Sequence, residues 1–159
     1  MPFETMHTAN TILGRSFAGC LPVNLVQLQR ILYFAAAEYA KHGRRFLAEE
    51  FEAWPTGPVL RSLHAKFQCL SGLPITMHAK NAAGSAYAID ETDTPILAAV
   101  LDAVWKHAGP LSAETLTDIA VQPGSAWSRT VPGAGRHIPA TALAADTTYV
   151  QALNLKPLQ

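Results

Sequence analysis

Cysteine and charge are both scarce in this chain. Only two of its 159 residues are cysteine, Cys20 and Cys69. They are too few and too far apart for a disulfide framework or a metal-ligand cluster. Each lies beside apolar residues, with a leucine directly after it, and both are expected to be buried free thiols of a reducing compartment. Charged residues make up 15%, and 12 Lys plus Arg balance 12 Asp plus Glu. The sum therefore shows no basic excess adapted to phosphate, which counts against nucleic acid as a partner. A pI near 7.0 gives little self-repulsion and leaves a homo-oligomer open. Long apolar runs are missing too. The stretch from Ile96 to Val104 is interrupted by Asp102 and falls far short of the roughly 20 residues that span a bilayer. The start, Met1-Pro2-Phe3-Glu4, has neither the basic nor the apolar region of a signal peptide. The expected location is cytoplasmic, with no membrane contact.

Catalytic signatures are also lacking. The six histidines are scattered, with no His-x3-His and no Glu-x-x-His pair, so no metal site is expected. Gly124-Ser125-Ala126-Trp127 lacks the second glycine and the preceding strand of a nucleophile elbow, and Ser125 reads better as a helix cap. Gly133-Ala134-Gly135 has no strand before it and no helix start after it, so it is not a phosphate loop. Glu49, Glu50 and Glu52 are explained by a solvated turn, and Arg44-Arg45 by a hairpin edge. No nucleophile–base pair is visible. The expectation is a non-enzyme without cofactor.

What is present is apolar residue, 49% of the chain, in helical spacing. At this length about 70% of the unfolded surface can be buried, so residues 1–159 are expected to form one domain. The expected fold is mainly α: a compact helical bundle with a small β-hairpin or a short two- to three-stranded sheet. Thr8 is a candidate cap for a first helix carrying Ile12, Leu13 and Phe17. Asn24 caps a second, whose residues Leu25, Leu28, Ile31, Leu32, Phe34, Ala35 and Tyr39 give an apolar face wide enough for a central helix. Gln27, Gln29 and Arg30 fill its wet strip, and Gly43 suits its left-handed end. Two short extended pieces anchored by Phe46 and Phe51 follow. Pro58 is placed in the first turn of a third helix bearing Val59, Leu60, Leu63, Phe67 and Leu70.

Further on, Ile75-Thr76-Met77 and Tyr87-Ala88-Ile89 are candidate strands around an exposed loop at 80–85. Thr94 and Pro95 start a clear helix with Leu97, Val100, Leu101, Val104 and Trp105, ended by Gly109-Pro110. Ser112 and Ser125 cap short helices, residues 131–135 read as a flexible segment, and two last helices hold Leu143 and Tyr149. Trp54 and Trp127 carry two readings in balance: wedges packed on the core, or anchors of an interface.

Four blocks then point to a family. Leu28-Gln29-Arg30-Ile31-Leu32-Tyr33-Phe34-Ala35 resembles the Leu-Gln-Lys-Leu-Leu-Tyr-Phe-Ala signature of the Panacea, or SocA-like antitoxin, domain, which is phage-associated. Glu52-Ala53-Trp54-Pro55-Thr56-Gly57-Pro58-Val59 is similar to its Glu-Ala-Trp-x-x-Gly-Pro-Val block. Leu111-Ser112-Ala113-Glu114-Thr115-Leu116 and Gly124-Ser125-Ala126-Trp127 resemble two later blocks, and the likeness covers roughly residues 8–150. Val121, Pro123 and Ala126 replace residues common in the family, among them a His. The resemblance implies an antitoxin of a type II toxin–antitoxin pair that neutralises a cognate protein toxin, encoded by an adjacent gene, through direct contact. The alternative it implies is an adaptor delivering the toxin to a AAA+ protease such as ClpXP. A DNA-binding autoregulator fits the neutral charge and the lack of a helix-turn-helix poorly. The residues expected to meet the partner are Arg45, Phe46, Glu52, Trp54, Pro55, Gly57, Pro58 and Trp127.

Overall fold

A computed structural model describes residues 2–130 and 136–155. Its elements run α1 (Thr5–Ala18), α2 (Leu25–Ala40), β1 (Glu52–Trp54), β2 (Gly57–Val59), α3 (Arg61–Phe67), α4 (Pro95–Ala108), α5 (Ala113–Val121), α6 (Ala126–Arg129), α7 (Ala140–Ala145) and α8 (Thr148–Ala152). The fold is mainly α with one small two-stranded antiparallel sheet.

Helix α2 is the axis. Asn24 and Gln27 cap it reciprocally, each side chain accepting from the other's backbone N–H, which satisfies two of the donors a helix start leaves open. From Leu28 to Tyr39 every residue is buried, because α1, α3, α4, α5 and α7 all pack around it. That corrects the expected wet strip: Gln27 is partly exposed, but Gln29 and Arg30 lie inside. Helical periodicity marks apolar positions, and it places polar ones outside by default. Here their polar ends are buried because backbone groups receive them.

Several other expectations change in the same way. Helix α1 begins one turn before the expected cap, with Glu4 at its N-cap, and the Thr8 hydroxyl donates to the Glu4 carbonyl at 2.9 Å. The piece around Phe46 pairs with the N-terminal segment through a parallel bridge, Phe3 to Leu47. Pro58 sits in β2 opposite Ala53, and α3 begins only at Arg61. Residues 75–77 and 87–89 form no strand. Both buried Asn10 groups hold this irregular segment instead: its amide donates to the carbonyls of Ala79 and Tyr87, and its carbonyl accepts from Ala79 N–H at 2.7 Å. Cys20 and Cys69 are exposed, because Cys20 lies in the connection after α1 and Cys69 in a short 3-10 turn, Gln68–Leu70, that follows α3 and buries none of its residues. Thr94 makes no side-chain cap; its hydroxyl donates back to the Asp90 carbonyl.

Other starts are as read. Pro95 opens α4, Ser112 accepts from Thr115 N–H at 3.1 Å, and Ser125 accepts from Ser128 N–H at 3.1 Å. One apolar cluster runs from Ala9 through the α2 residues to Leu155. Trp105 is half-buried against it. Among the described residues no helix is long and apolar enough to cross a membrane. The expected flexible segment at 131–135 lies outside the described residues.

Candidate partner-binding surface

The hairpin is built on α2 by two side chains. Gln29 pairs with Leu60 as a neighbouring strand would: its amide donates to the Leu60 carbonyl at 3.0 Å and its carbonyl accepts from Leu60 N–H at 2.9 Å. Arg30 lies next to it. Its Nη1 donates to the Pro58 carbonyl at 2.5 Å, Nη2 to the Thr56 carbonyl at 2.8 Å and Nε to Thr117 Oγ1 at 3.1 Å. The outer side of β1 is covered as well. Ala53 N–H donates to the Arg136 carbonyl at 2.7 Å, and Ile138 N–H donates to the Phe51 carbonyl at 2.8 Å. Side chains close one edge of this sheet and residues 136–138 close the other. That leaves no open row of backbone groups for a partner strand.

Arg30 is 3% exposed and has no carboxylate within ion-pair distance among the described residues. Burial disfavours its charged form and lowers its pKa to about 10. At neutral pH the guanidinium therefore stays charged, held by two carbonyls and the Thr117 hydroxyl.

The turn that Arg30 supports carries Trp54, and α6 brings Trp127 against it. Trp54 and Trp127 are both half-buried, and the Trp127 indole N–H donates to the Trp54 carbonyl at 2.8 Å. The Trp54 ring meets His64 edge-on at 4.9 Å, and the Arg61 guanidinium lies 5.9 Å from its centroid. Arg61 grips Glu52 with two bonds of 2.8 Å. Glu52 also accepts from the Trp54 indole at 3.2 Å. The hydrogen bonds from Arg61, with a smaller contribution from the Trp54 indole, outweigh desolvation and hold the Glu52 carboxyl below its ordinary 4.5.

Trp127 is anchored from below. Its backbone N–H donates to the Tyr33 hydroxyl at 3.2 Å, and that hydroxyl reaches Asp146, which also accepts from Ala126 N–H at 2.8 Å. Burial, with Asp146 beside it, pushes the Tyr33 hydroxyl pKa far up. A second cluster, buried Glu38 and Tyr149 with Lys41 at its exposed edge, ties α8 to the end of α2.

The residues read from the sequence as partner contacts divide by position. Pro55 and Arg45 are exposed, and Trp54 and Trp127 are half-exposed. Glu52, Gly57 and Pro58 lie buried beneath them. Phe46 is 2% exposed and packs with Phe3 and Tyr39. Arg45 donates to the Ala48 carbonyl, near the bridge to the N-terminal segment and apart from the tryptophan pair in the chain. Sequence reasoning missed Gln29, Arg30, Arg61 and His64. The available signal was a polar doublet, Gln29-Arg30, enclosed on both sides by apolar residues in a helix that is apolar all round. Arg15, which pairs with Glu91 and with Asp102 at 2.7 Å, was equally unmarked.

The profile of the family described as antitoxin SocA-like, Panacea domain, matches residues 28–128. The chain belongs to this family. No curated protein and no solved structure matches it. The part of this Panacea chain that matches begins at Leu28 in α2 and ends at Ser128 in α6, so it takes in the hairpin, Arg30 and both tryptophans. The family's description points to an antitoxin-type role, and to a toxin as the general kind of partner.

Proposed function

We propose that this protein is the antitoxin of a type II toxin–antitoxin pair. On this reading residues 1–159 form one cytoplasmic, non-catalytic domain that binds a cognate toxin, encoded by the neighbouring gene, and blocks it by occlusion. The contact surface is the Trp54–Trp127 pair with Pro55, Thr56 and Arg61 around it. The observation that carries the reading is this pair itself. Inside the family-matched region, two large aromatics are left half-exposed: Trp54 on a turn that a buried arginine holds by two carbonyls, and Trp127 on α6, bonded to the Trp54 carbonyl. Tryptophan and arginine dominate binding hot spots. A rigid support lowers the ordering cost of association.

Co-expression with the adjacent gene product tests it. The expected outcome is a stable complex and restored growth of cells that the toxin alone arrests. Failure of both refutes it. Measuring toxin level with and without the host AAA+ protease separates occlusion, which leaves the level unchanged, from delivery for degradation.

A further inference from the structure

Helix α6 is a single turn of four residues, too short to hold its own direction. Where Trp127 stands is therefore set by what grips that turn from outside. Two side chains from distant parts of the chain hold its backbone: the Tyr33 hydroxyl accepts from Trp127 N–H at 3.2 Å, and Asp146 Oδ2 accepts from Ala126 N–H at 2.8 Å. The hydroxyl has one proton, and that proton is donated to Asp146 at 3.3 Å. Asp146 lies between α7 and α8, is 3% exposed and forms no ion pair among the described residues. Its carboxylate stays buried because donors converge on both oxygens. Oδ2 takes Ala126 N–H and the Tyr33 hydroxyl, and Oδ1 takes Thr148 N–H at 2.8 Å and Thr148 Oγ1 at 2.6 Å. Each lost donor would leave buried charge unsatisfied, so α2, α6 and the start of α8 are fixed at one point. The other tryptophan is referenced to the same helix. Arg30, three residues before Tyr33 in α2 and so on a neighbouring position of one face, holds the carbonyls of Thr56 and Pro58 in the turn after Trp54.

We propose that Asp146 is a positioning residue of the partner-binding face: through Ala126 N–H and the Tyr33 hydroxyl it sets where the Trp127 ring stands beside Trp54, without touching the partner itself. This rests on the reading of the tryptophan pair as the contact surface. It adds that the surface depends on a residue beyond the family-matched stretch, residues 28–128. A ring already held in its bound place loses less freedom on association, and Asp146 supplies that hold from the side of α7 and α8.

The first measurement needs no partner. In the full chain carrying Trp54→Phe and Trp105→Phe, Trp127 is the one tryptophan left, and acrylamide quenching reports how freely its ring is reached. Asp146→Asn keeps the shape and removes one acceptor oxygen, and Tyr33→Phe removes only the hydroxyl. Each should raise the quenching constant and shift the emission to the red, at a temperature where circular dichroism shows the variant folded. Unchanged quenching and emission in both variants overturn the proposal. The second measurement is a double-mutant cycle on affinity for the purified product of the adjacent gene, in the chain with its own tryptophans. Asp146→Asn should weaken binding about tenfold. In the Trp127→Ala background the ring to be positioned is gone, and the same change should weaken binding by less than about twofold. Equal losses in both backgrounds make Asp146 a general support of the fold and overturn the proposal. So does wild-type affinity in Asp146→Asn when Trp127→Ala loses it. The reading beneath the proposal fails on different results. Full affinity in Trp54→Ala with Trp127→Ala moves the contact surface elsewhere, and absence of any wild-type binding refutes the antitoxin role. Either of these removes this inference as well.

Discussion

At Gly57 the backbone takes φ +133°, and a Cβ built there would lie 2.5 Å from Arg30 Nη2. Two separate penalties meet at this residue: a conformation that L side chains rarely adopt, and an overlap with a guanidinium that is itself tied down at both ends. Gly57→Ala should cost about 3 kcal/mol. Gly43→Ala, at φ +73° with nothing within 4 Å, should cost only about 1 kcal/mol. Urea denaturation midpoints of the two variants check the difference, and equal losses would contradict the packing argument. Glu52 gives a second prediction at this scale. Its folded-state pKa lies below the ordinary 4.5 because Arg61 hydrogen-bonds the charged form. The stability it supplies is therefore complete above pH 4.5 and is lost as pH falls through the folded value. Melting temperature followed from about pH 6 to about pH 3 should fall less steeply in Glu52→Gln than in wild type.

Helix α2 and the hairpin form one unit because Gln29 and Arg30 replace a missing strand. Arg30→Ala removes the donors of two carbonyls and leaves a hole beneath the turn. A loss of about 3 kcal/mol is expected. Hydrogen exchange should show faster exchange at Leu60 and the β2 amides, with α1 and α4 amides unaffected. Uniform acceleration would place Arg30's role in the whole core instead. This unit also shows where sequence reasoning reaches and where it stops. The broad apolar face of α2, its Asn24 cap, the Pro95 start of α4 and the Ser112 and Ser125 caps are local signals, and the structure carries them as read. What Arg30 and Gln29 do depends on backbone groups about thirty residues downstream, which no periodicity encodes. The same holds for residues 75–89. Their apolar runs resembled strands, yet Asn10 of α1 supplies the hydrogen bonds that strands would have shared. Pro58 was misplaced because a proline before a helix and a proline in a covered strand look alike in sequence. In β2 it stands opposite Ala53, whose own N–H bonds Arg136 on the far side, so its missing donor costs nothing.

Over the whole molecule, the helices around α2 close a single apolar cluster and leave a few large apolar side chains outside. Leu73, Met77 and Tyr87 are exposed by 65%, 58% and 56%, all on the irregular segment that Asn10 holds. They are the other large apolar side chains open to a partner, and the tryptophan pair has to be tested against them. Trp54 contributes little to the core, since its ring lies between His64 and Arg61 at the surface. Trp54→Ala should therefore leave helical content intact and lower stability by only about 1–2 kcal/mol, while a hot-spot role would cost 2 kcal/mol or more in binding, roughly thirtyfold in affinity. Leu73→Ser with Met77→Ser serves as the matched control on the other surface. The decisive measurement is the affinity of folded Trp54→Ala for the adjacent gene product, read beside growth rescue in the same cells. The account predicts a variant with wild-type circular dichroism that has lost both binding and rescue. A folded Trp54→Ala that binds and rescues like wild type, with both lost instead in the Leu73/Met77 variant, would contradict it.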